Sequence, residues 1–270
     1  MKGDLHVHTD ISDSSYNLME TLEMAKANDV THIGIVNHDT VRGLKEAIDM
    51  GKRMGIKVIP GIEISSYDFT NNRKVHILGY NFDLEGRNIR KLCDPLLERR
   101  NENSRRQMET LIKFGYKLDT DYINEKCRNS RVLYKQHIMM GMIKAGYTHK
   151  IYSDLYRELF KNGGICDYDI EYVDPLSAVQ AIKNDGGLAV LAHPGQLNSY
   201  SIIPDLVKKG LDGIERYHHG HTEKDIDRIK EICSRYDLIQ TGGTDFHGEY
   251  GEKNIMIGQI ESPVEYLDLF

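Results

Sequence analysis

The chain has little of what secreted or membrane proteins depend on. Its four cysteines, Cys93, Cys127, Cys166 and Cys233, are widely scattered and form no CxxC pair. Reduced, packed thiols are expected rather than a disulfide framework. No apolar run exceeds the length of a strand, so no transmembrane helix fits. The opening Met1-Lys2-Gly3-Asp4 lacks the apolar stretch of a signal peptide, and the expectation is a cytoplasmic protein without a membrane partner. Low-complexity tracts and internal repeats are absent. An excess of basic charge is missing too: 35 Lys and Arg stand against 41 Asp and Glu, a net charge of -6. A protein that coats long nucleic acid through its overall field is thereby disfavoured.

What is present suits a globular enzyme. With 270 residues, 40% hydrophobic and 28% charged, the chain can bury a full core without disulfides. Its charge is unevenly spread. Residues 87–168 hold about 17 basic against about 10 acidic side chains, so a basic middle sits in an acidic body. That division suits cations held in one part and an anionic ligand in the other.

Two textures alternate along the chain. Strand-sized apolar runs occur at Leu5 to Thr9, His32 to Asn37, Val58 to Ile64, Val75 to Tyr80, Leu188 to Ala192, Gly213 to Tyr217, Ile239 to Gly242 and Ile255 to Ile260. Amphipathic helical segments lie between several of them, with Asn17, Thr40, Asp174 and His221-Thr222 where helix N-caps belong. Strands alternating with helices predict parallel strands and crossover helices, here an α/β fold of the distorted (β/α)7 barrel type. From about Arg87 to Phe160 the pattern is helical instead. The expected organisation is a first barrel part at 1–86, a basic helical insertion at 87–164 acting as a lid for substrate recognition, and a second barrel part at 165–270.

Mapping the histidines and carboxylates onto this layout groups them. His6 and His8 lie two apart, on one face of a strand. His38 closes the second strand, Glu63 follows the third, and His193 ends the Leu188–Ala192 run. Asp245 and His247 follow Thr241-Gly242-Gly243-Thr244, again two apart. Carboxyl ends of barrel strands are where such folds build active sites. His76, at the start of the fourth strand, does not fit that rule and would need a short irregular strand. Asp13 adds a loop carboxylate. Imidazoles and carboxylates together bind zinc, manganese and iron. Nine such ligands exceed what one ion needs, so two or three ions sharing a carboxylate are expected, with Glu63 as the bridge.

The motifs Asp4-Leu5-His6-Val7-His8-Thr9 with Ser12-Asp13, Asn37-His38-Asp39, Gly61-Ile62-Glu63, Val75-His76-Ile77-Leu78-Gly79-Tyr80, Leu191-Ala192-His193-Pro194-Gly195 and Gly243-Thr244-Asp245-Phe246-His247-Gly248 resemble, in order and over nearly the whole chain, the PHP (polymerase and histidinol phosphatase) family of metal-dependent phosphoesterases. The helical middle and Leu211-Asp212-Gly213-Ile214-Glu215 resemble the branch that includes nucleoside 3′,5′-bisphosphate phosphatases, whose members also trim short RNA from the 5′ end. Thr244 stands where serine is common and Ser14 where glycine is common, and neither removes a ligand. The resemblance implies a PHP barrel with three divalent ions (Mn²⁺, Fe²⁺ or Zn²⁺). One ion would take His6, His8, Glu63 and Asp245, a second Glu63, His76 and His193, and a third Asp13, His38 and His247.

The expected reaction is hydrolysis of a phosphate monoester on a small nucleotide, such as a 3′,5′-bisphosphate, or at short oligonucleotide 5′ ends. The nucleophile expected is a metal-bound hydroxide. Asp245, His193 and His247 are the expected catalytic residues. Arg131, Lys135, His137 and His221 are expected to contact phosphate, Arg131 through its bidentate guanidinium and Lys135 as a point charge. Two alternatives belong beside this reading: a histidinol-phosphate phosphatase, and a non-catalytic module stabilised by metal.

Overall fold

Seven strands wrap into a nearly closed barrel in simple sequence order: β1 (Gly3–Val7), β2 (His32–Ile35), β3 (Lys57–Asp68), β4 (Arg73–Tyr80), β5 (Leu188–Leu191), β6 (Gly213–Tyr217) and β7 (Ile239–Gly242). This computed structural model describes residues 1–251 and 255–270. A single bridge between Val7 and Phe246 brings the segment after β7 against β1. The helices are α1 (Leu18–Ala27), α2 (Leu44–Met54), α3 (Arg87–Lys113), α4 (Thr120–Lys126), α5 (Lys135–Lys144), α6 (Asp154–Phe160), α7 (Pro175–Asn184), α8 (Pro194–Leu197), α9 (Ile203–Lys208), α10 (Glu223–Tyr236) and α11 (Val264–Leu267).

Local chemistry accounts for the ends of several helices. Asn17 and Glu20 form a reciprocal capping box on α1, Thr222 and Asp225 do the same on α10, and Asp174 caps α7 with Pro175 in its first turn. Thr40 is not a cap. The helix expected from Val41 begins at Leu44, after Gly43 at φ +76°.

Two expectations about strands need correcting. The strands are not all parallel: β4 runs antiparallel to both β3 and β5. An amphipathic pattern carries no direction, and the short link from Asp68 to Arg73 turns the chain back on itself. In addition, Ile255–Ile260 forms no strand. Gly258 sits at φ +80°, and its N–H is given to the Asp4 carboxylate rather than to a neighbouring strand.

The core divides by this architecture. Leu22, Ile33, Ile64, Ile77, Ile182, Leu191 and Ile214 belong to a large cluster between strands and helices. A smaller cluster joins Leu5, Val36, Ile59, Leu78, Tyr80 and Val190 to Leu267 and Phe270 from the chain end. On β4, His76, Leu78 and Tyr80 share one face because side chains alternate. That face is therefore polar towards its start and apolar towards its end. A third cluster, including Leu111, Ile138, Met142 and Phe160, holds α3 to α6 together. The four cysteines are buried free thiols. No helix among the described residues is long and apolar enough to cross a membrane.

Asp4 fastens the seam of the barrel. Its buried carboxylate accepts from the His6 and Thr244 amides at 3.3 and 3.0 Å, the Thr244 hydroxyl at 2.6 Å and the Gly258 amide at 2.8 Å. Burial pushes its pKa up to about 6 against the pull of these donors. Asp4→Asn keeps the shape but turns an NH₂ towards groups that can only donate or already do. Orphaned buried donors cost roughly 1–3 kcal/mol each, so denaturant unfolding should show a loss of at least about 2 kcal/mol. A loss under about 0.5 kcal/mol would mean that the seam does not depend on Asp4.

Candidate metal centre and active-site cavity

The mouth of the barrel gathers nine histidines and carboxylates from elements far apart in sequence. His6 is on β1 with His8 just beyond it, and Glu63 and His76 face one another from β3 and β4. His38 bridges to Glu63 as the chain leaves β2, His193 follows β5, and Asp245 and His247 follow β7. The antiparallel course of β4 explains His76 without an irregular strand: the start of an antiparallel strand lies beside the end of its neighbour. Glu63 likewise does not follow its strand but lies inside the long β3.

Glu63 is the hub. Its Oε1 is 2.7 Å from His76 Nδ1 and 2.9 Å from His193 Nε2. Its Oε2 is 3.2, 3.1 and 3.3 Å from Nε2 of His6, His8 and His38. Asp245 Oδ1 is 3.2 Å from both His6 and His8 Nε2. On the other side, His247 Nε2 lies 3.4 Å from Asp13 Oδ1, within a group that also contains His8 and His38.

Surrounding residues aim these groups. The Asn37 side-chain oxygen accepts from the Thr9 amide and from the Thr9 and Ser12 hydroxyls, shaping the loop that presents Asp13. Gln136 donates to Asp13 at 2.9 Å. Asp39 takes the Arg100 guanidinium at 2.7 Å, and Arg100 also reaches Ser65, which faces His38. Gly243 packs against the His6 backbone so closely that a Cβ there would collide with it. Asp39, His193 and Asp245 adopt positive φ of +58°, +24° and +52°, strain that persists only where surroundings enforce it.

The electrostatics favour cations. Burial opposes charge on Glu63 and Asp245, yet the encircling imidazoles hold both carboxyls well below their usual range. Burial also works against a charged His6, but Glu215, Asp245 and Glu63 raise its pKa well above normal. At His247 burial is likewise overcome, by Asp13 and Asp245, which raise its pKa to about 10. His38 is pulled down to about 4 by burial and presents a neutral imidazole.

These residues fit divalent cations. His6 Nε2, both ring nitrogens of His8, Asp13 Oδ1, Glu63 Oε2, His193 Nδ1 and Asp245 Oδ1 are buried without hydrogen-bond partners among the described residues. Such atoms are costly unless something binds them. His6 Nε2, His8 Nε2, Glu63 Oε2 and Asp245 Oδ1 form a group whose four nitrogen–oxygen edges are 3.1–3.2 Å. Atoms so spaced lie roughly 2.0–2.3 Å from a common centre, the length of zinc bonds to nitrogen and oxygen.

Sequence reasoning gave no role to Glu215 or His218. Glu215 Oε1 takes the His6 Nδ1–H at 2.9 Å and its Oε2 the His193 amide at 2.8 Å. Despite burial its carboxyl is held down at about 2, chiefly by His6. The Gly220 N–H donates to His218 Nδ1 at 2.9 Å, which leaves Nε2–H to donate to Asp245 Oδ2 at 3.3 Å. Glu215 had a faint signal, an acid at an inward-facing position of a barrel strand.

The cluster opens into a cavity of about 280 Å³, near the small end of ligand sites at roughly 300–1,000 Å³. Lys74, Arg100, Lys135, Lys161, Tyr152 and Tyr172 line it together with Asp13, His76, His193, Asp245 and His247. Of the expected phosphate contacts, only Lys135 is among the lining residues. Arg131 is exposed in a left-handed turn at φ +60°, outside the cavity. His137 is buried, accepts the Tyr134 amide through Nδ1 and packs on Tyr250. His221 has both ring nitrogens committed, Nδ1 to the Arg216 carbonyl and Nε2 to the Gly195 amide.

Residues 4–169 match the PHP domain family. The chain is 49% identical, over 93% of its length and 96% of the relative's, to a phosphoribosyl 1,2-cyclic phosphate 1,2-diphosphodiesterase of Eggerthella lenta. A 3′,5′-nucleoside bisphosphate phosphatase of Chromobacterium violaceum is 26% identical over 96% of the chain and 91% of the relative. In fold, a candidate metal-dependent phosphoesterase from Bifidobacterium adolescentis superposes with a TM-score of 0.91 at 24% identity, covering 99% of this chain and 94% of that one. With its buried donor set at the barrel mouth, this chain belongs to the PHP domain family and is a metal-dependent hydrolase of phosphoester bonds.

Proposed function

We propose that the chain hydrolyses a small cyclic phosphodiester on a phosphorylated ribose, with three divalent ions (Mn²⁺, Fe²⁺ or Zn²⁺) held by His6, His8, Asp13, His38, Glu63, His76, His193, Asp245 and His247. The observation that carries the substrate is the 49% identity, end to end, with the phosphoribosyl 1,2-cyclic phosphate diesterase. When bound, such ions supply an activated water and neutralise phosphoryl oxygens. The chain's own part is to fix the reacting geometry. Glu63 and Asp245 are held ionised by the surrounding imidazoles, and Gln136 orients Asp13. His193, Asp245 and His247 line the cavity where the ester would lie, which supports a catalytic role for them. Adding one water across a P–O bond opens the ring and leaves a monoester.

A cavity of this size suits a small substrate rather than a polynucleotide. Residues 87–164 are proposed as the lid, because Asn103, Tyr134, Gln136 and Tyr152 from that stretch line the cavity. A nucleoside 3′,5′-bisphosphate is the second reading, supported by the Chromobacterium violaceum relative. A turnover screen with manganese decides between them: phosphoribosyl 1,2-cyclic phosphate, adenosine 3′,5′-bisphosphate, histidinol phosphate and a short 5′-phosphorylated RNA. The cyclic diester should give the highest kcat/KM. A preference of tenfold or more for the bisphosphate would transfer the assignment to the nucleotide reading.

A further inference from the structure

We propose that Lys74 and Lys135, with Lys161 beside them, form a second phosphate site that grips the phosphate which is not hydrolysed. The proposal rests on the two-phosphate substrate argued above. Lys74 precedes His76 by two residues on β4, so both side chains leave the same face of the strand. Their Cα atoms are about 7 Å apart at the usual rise per residue, which sets the lysine beyond the metal cluster along the cavity wall. Lys135 reaches the same wall from the first turn of α5, and all three lysines line the cavity.

The charges in this wall do not balance. Asp169 is shared, with Oδ2 3.0 Å from Lys74 Nζ and Oδ1 3.5 Å from Lys135 Nζ. Lys74 also donates to the Tyr172 hydroxyl at 2.9 Å, which is neutral. Two ammonium groups thus share one carboxylate, and Lys161 adds a third positive charge to the cavity lining. Arg100, lining the same cavity, shows what a purely structural cation does here: Asp39 neutralises it at 2.7 Å, with a hydrogen bond to Ser65 besides. Lys135 has only a share of Asp169, at 3.5 Å. Burial lowers its pKa to about 8, Lys74, Lys161 and Arg100 add to the lowering, and Asp169 opposes it. A phosphate dianion would complete the set.

The cavity is therefore bipolar, with metal ligands at one end and lysines at the other, matching a ribose that carries one phosphate to be cleaved and one to be held. This wall takes the place of the phosphate contacts expected at Arg131, His137 and His221.

The test compares substrate pairs that differ only in the remote phosphate: ribose 1,2-cyclic phosphate with and without a 5-phosphate, and adenosine 3′,5′-bisphosphate against the adenosine monophosphates. Wild-type holoenzyme should prefer the two-phosphate member of its pair by about a hundredfold in kcat/KM, the product of two charge-assisted hydrogen bonds worth roughly tenfold or more each. In the double variant Lys74→Met, Lys135→Met that ratio should fall below about tenfold, through KM, while Lys135→Arg alone should retain most of it. An undiminished ratio in the double variant overturns the proposal, as does a wild-type enzyme indifferent to the second phosphate. Turnover of the nucleotide pair alone would remove the cyclic-ester reading, and the lysine site would then be judged on that pair. Should the double variant fail to fold, Lys135→Met alone gives the same comparison.

Discussion

Glu63→Gln should lose bound metal and more than about a hundredfold in kcat/KM, since even groups one step behind the ligands cost tenfold to a hundredfold. The reason lies in its geometry. One carboxylate faces five imidazoles, with His76 and His193 on Oε1 and His6, His8 and His38 on Oε2. Glutamine is nearly the same size but has no charge and only one acceptor atom, so one side of the hub would present N–H groups where lone pairs are needed. The donor set would lose its central carboxylate, and the pull that keeps cations in the site would weaken. Metal analysis by mass spectrometry after dialysis, with kinetics at saturating manganese, checks both halves. Full metal content with activity within tenfold of wild type would refute the role given to Glu63.

Much of this site was legible because its chemistry is periodic. His6 and His8, and Asp245 and His247, are two apart, and a spacing of two near a strand puts both side chains on one side. The barrel was legible for a related reason, as alternating strand and helix patterns admit few architectures. What remained hidden depended on facts that no spacing encodes. Strand direction is one: β4 reads like its neighbours yet runs the other way, and only that makes His76 an ordinary member of the cluster. Side-chain commitment is another. His221 stands in a histidine-rich run that suggests a ligand, but its ring ties the Arg216 carbonyl to the Gly195 amide. Arg131 has the right chemistry for phosphate, yet it is exposed in a left-handed turn and is not among the residues that line the cavity. Lys74 went unnoticed because one lysine on a strand is unremarkable until the fold sets it beside Lys135.

Glu215→Gln should weaken metal binding tenfold to a hundredfold, the usual effect of losing the carboxylate behind a ligating histidine, although Glu215 need never touch an ion. Its two oxygens do different work. Oε1 accepts the His6 Nδ1–H, which sets Nε2 beside Glu63 Oε2 and Asp245 Oδ1 as the ring nitrogen placed to share a cation with them. Oε2 accepts the His193 amide and so anchors a residue at φ +24° whose side chain also belongs to the cluster. Glutamine can serve one of these and must oppose the other. If its oxygen faces His193, its NH₂ confronts the His6 proton, and His6 relieves the conflict by moving that proton to Nε2, which removes its lone pair from the metal site. If its oxygen faces His6, the His193 amide is left buried without a partner, at a cost of roughly 1–3 kcal/mol. Metal titration followed by calorimetry separates this from direct ligation. A positioning role predicts weaker affinity with much of kcat recovered at high metal concentration, whereas loss of a ligand predicts a kcat that excess metal does not restore. An affinity within about threefold of wild type would show that His6 is oriented without Glu215.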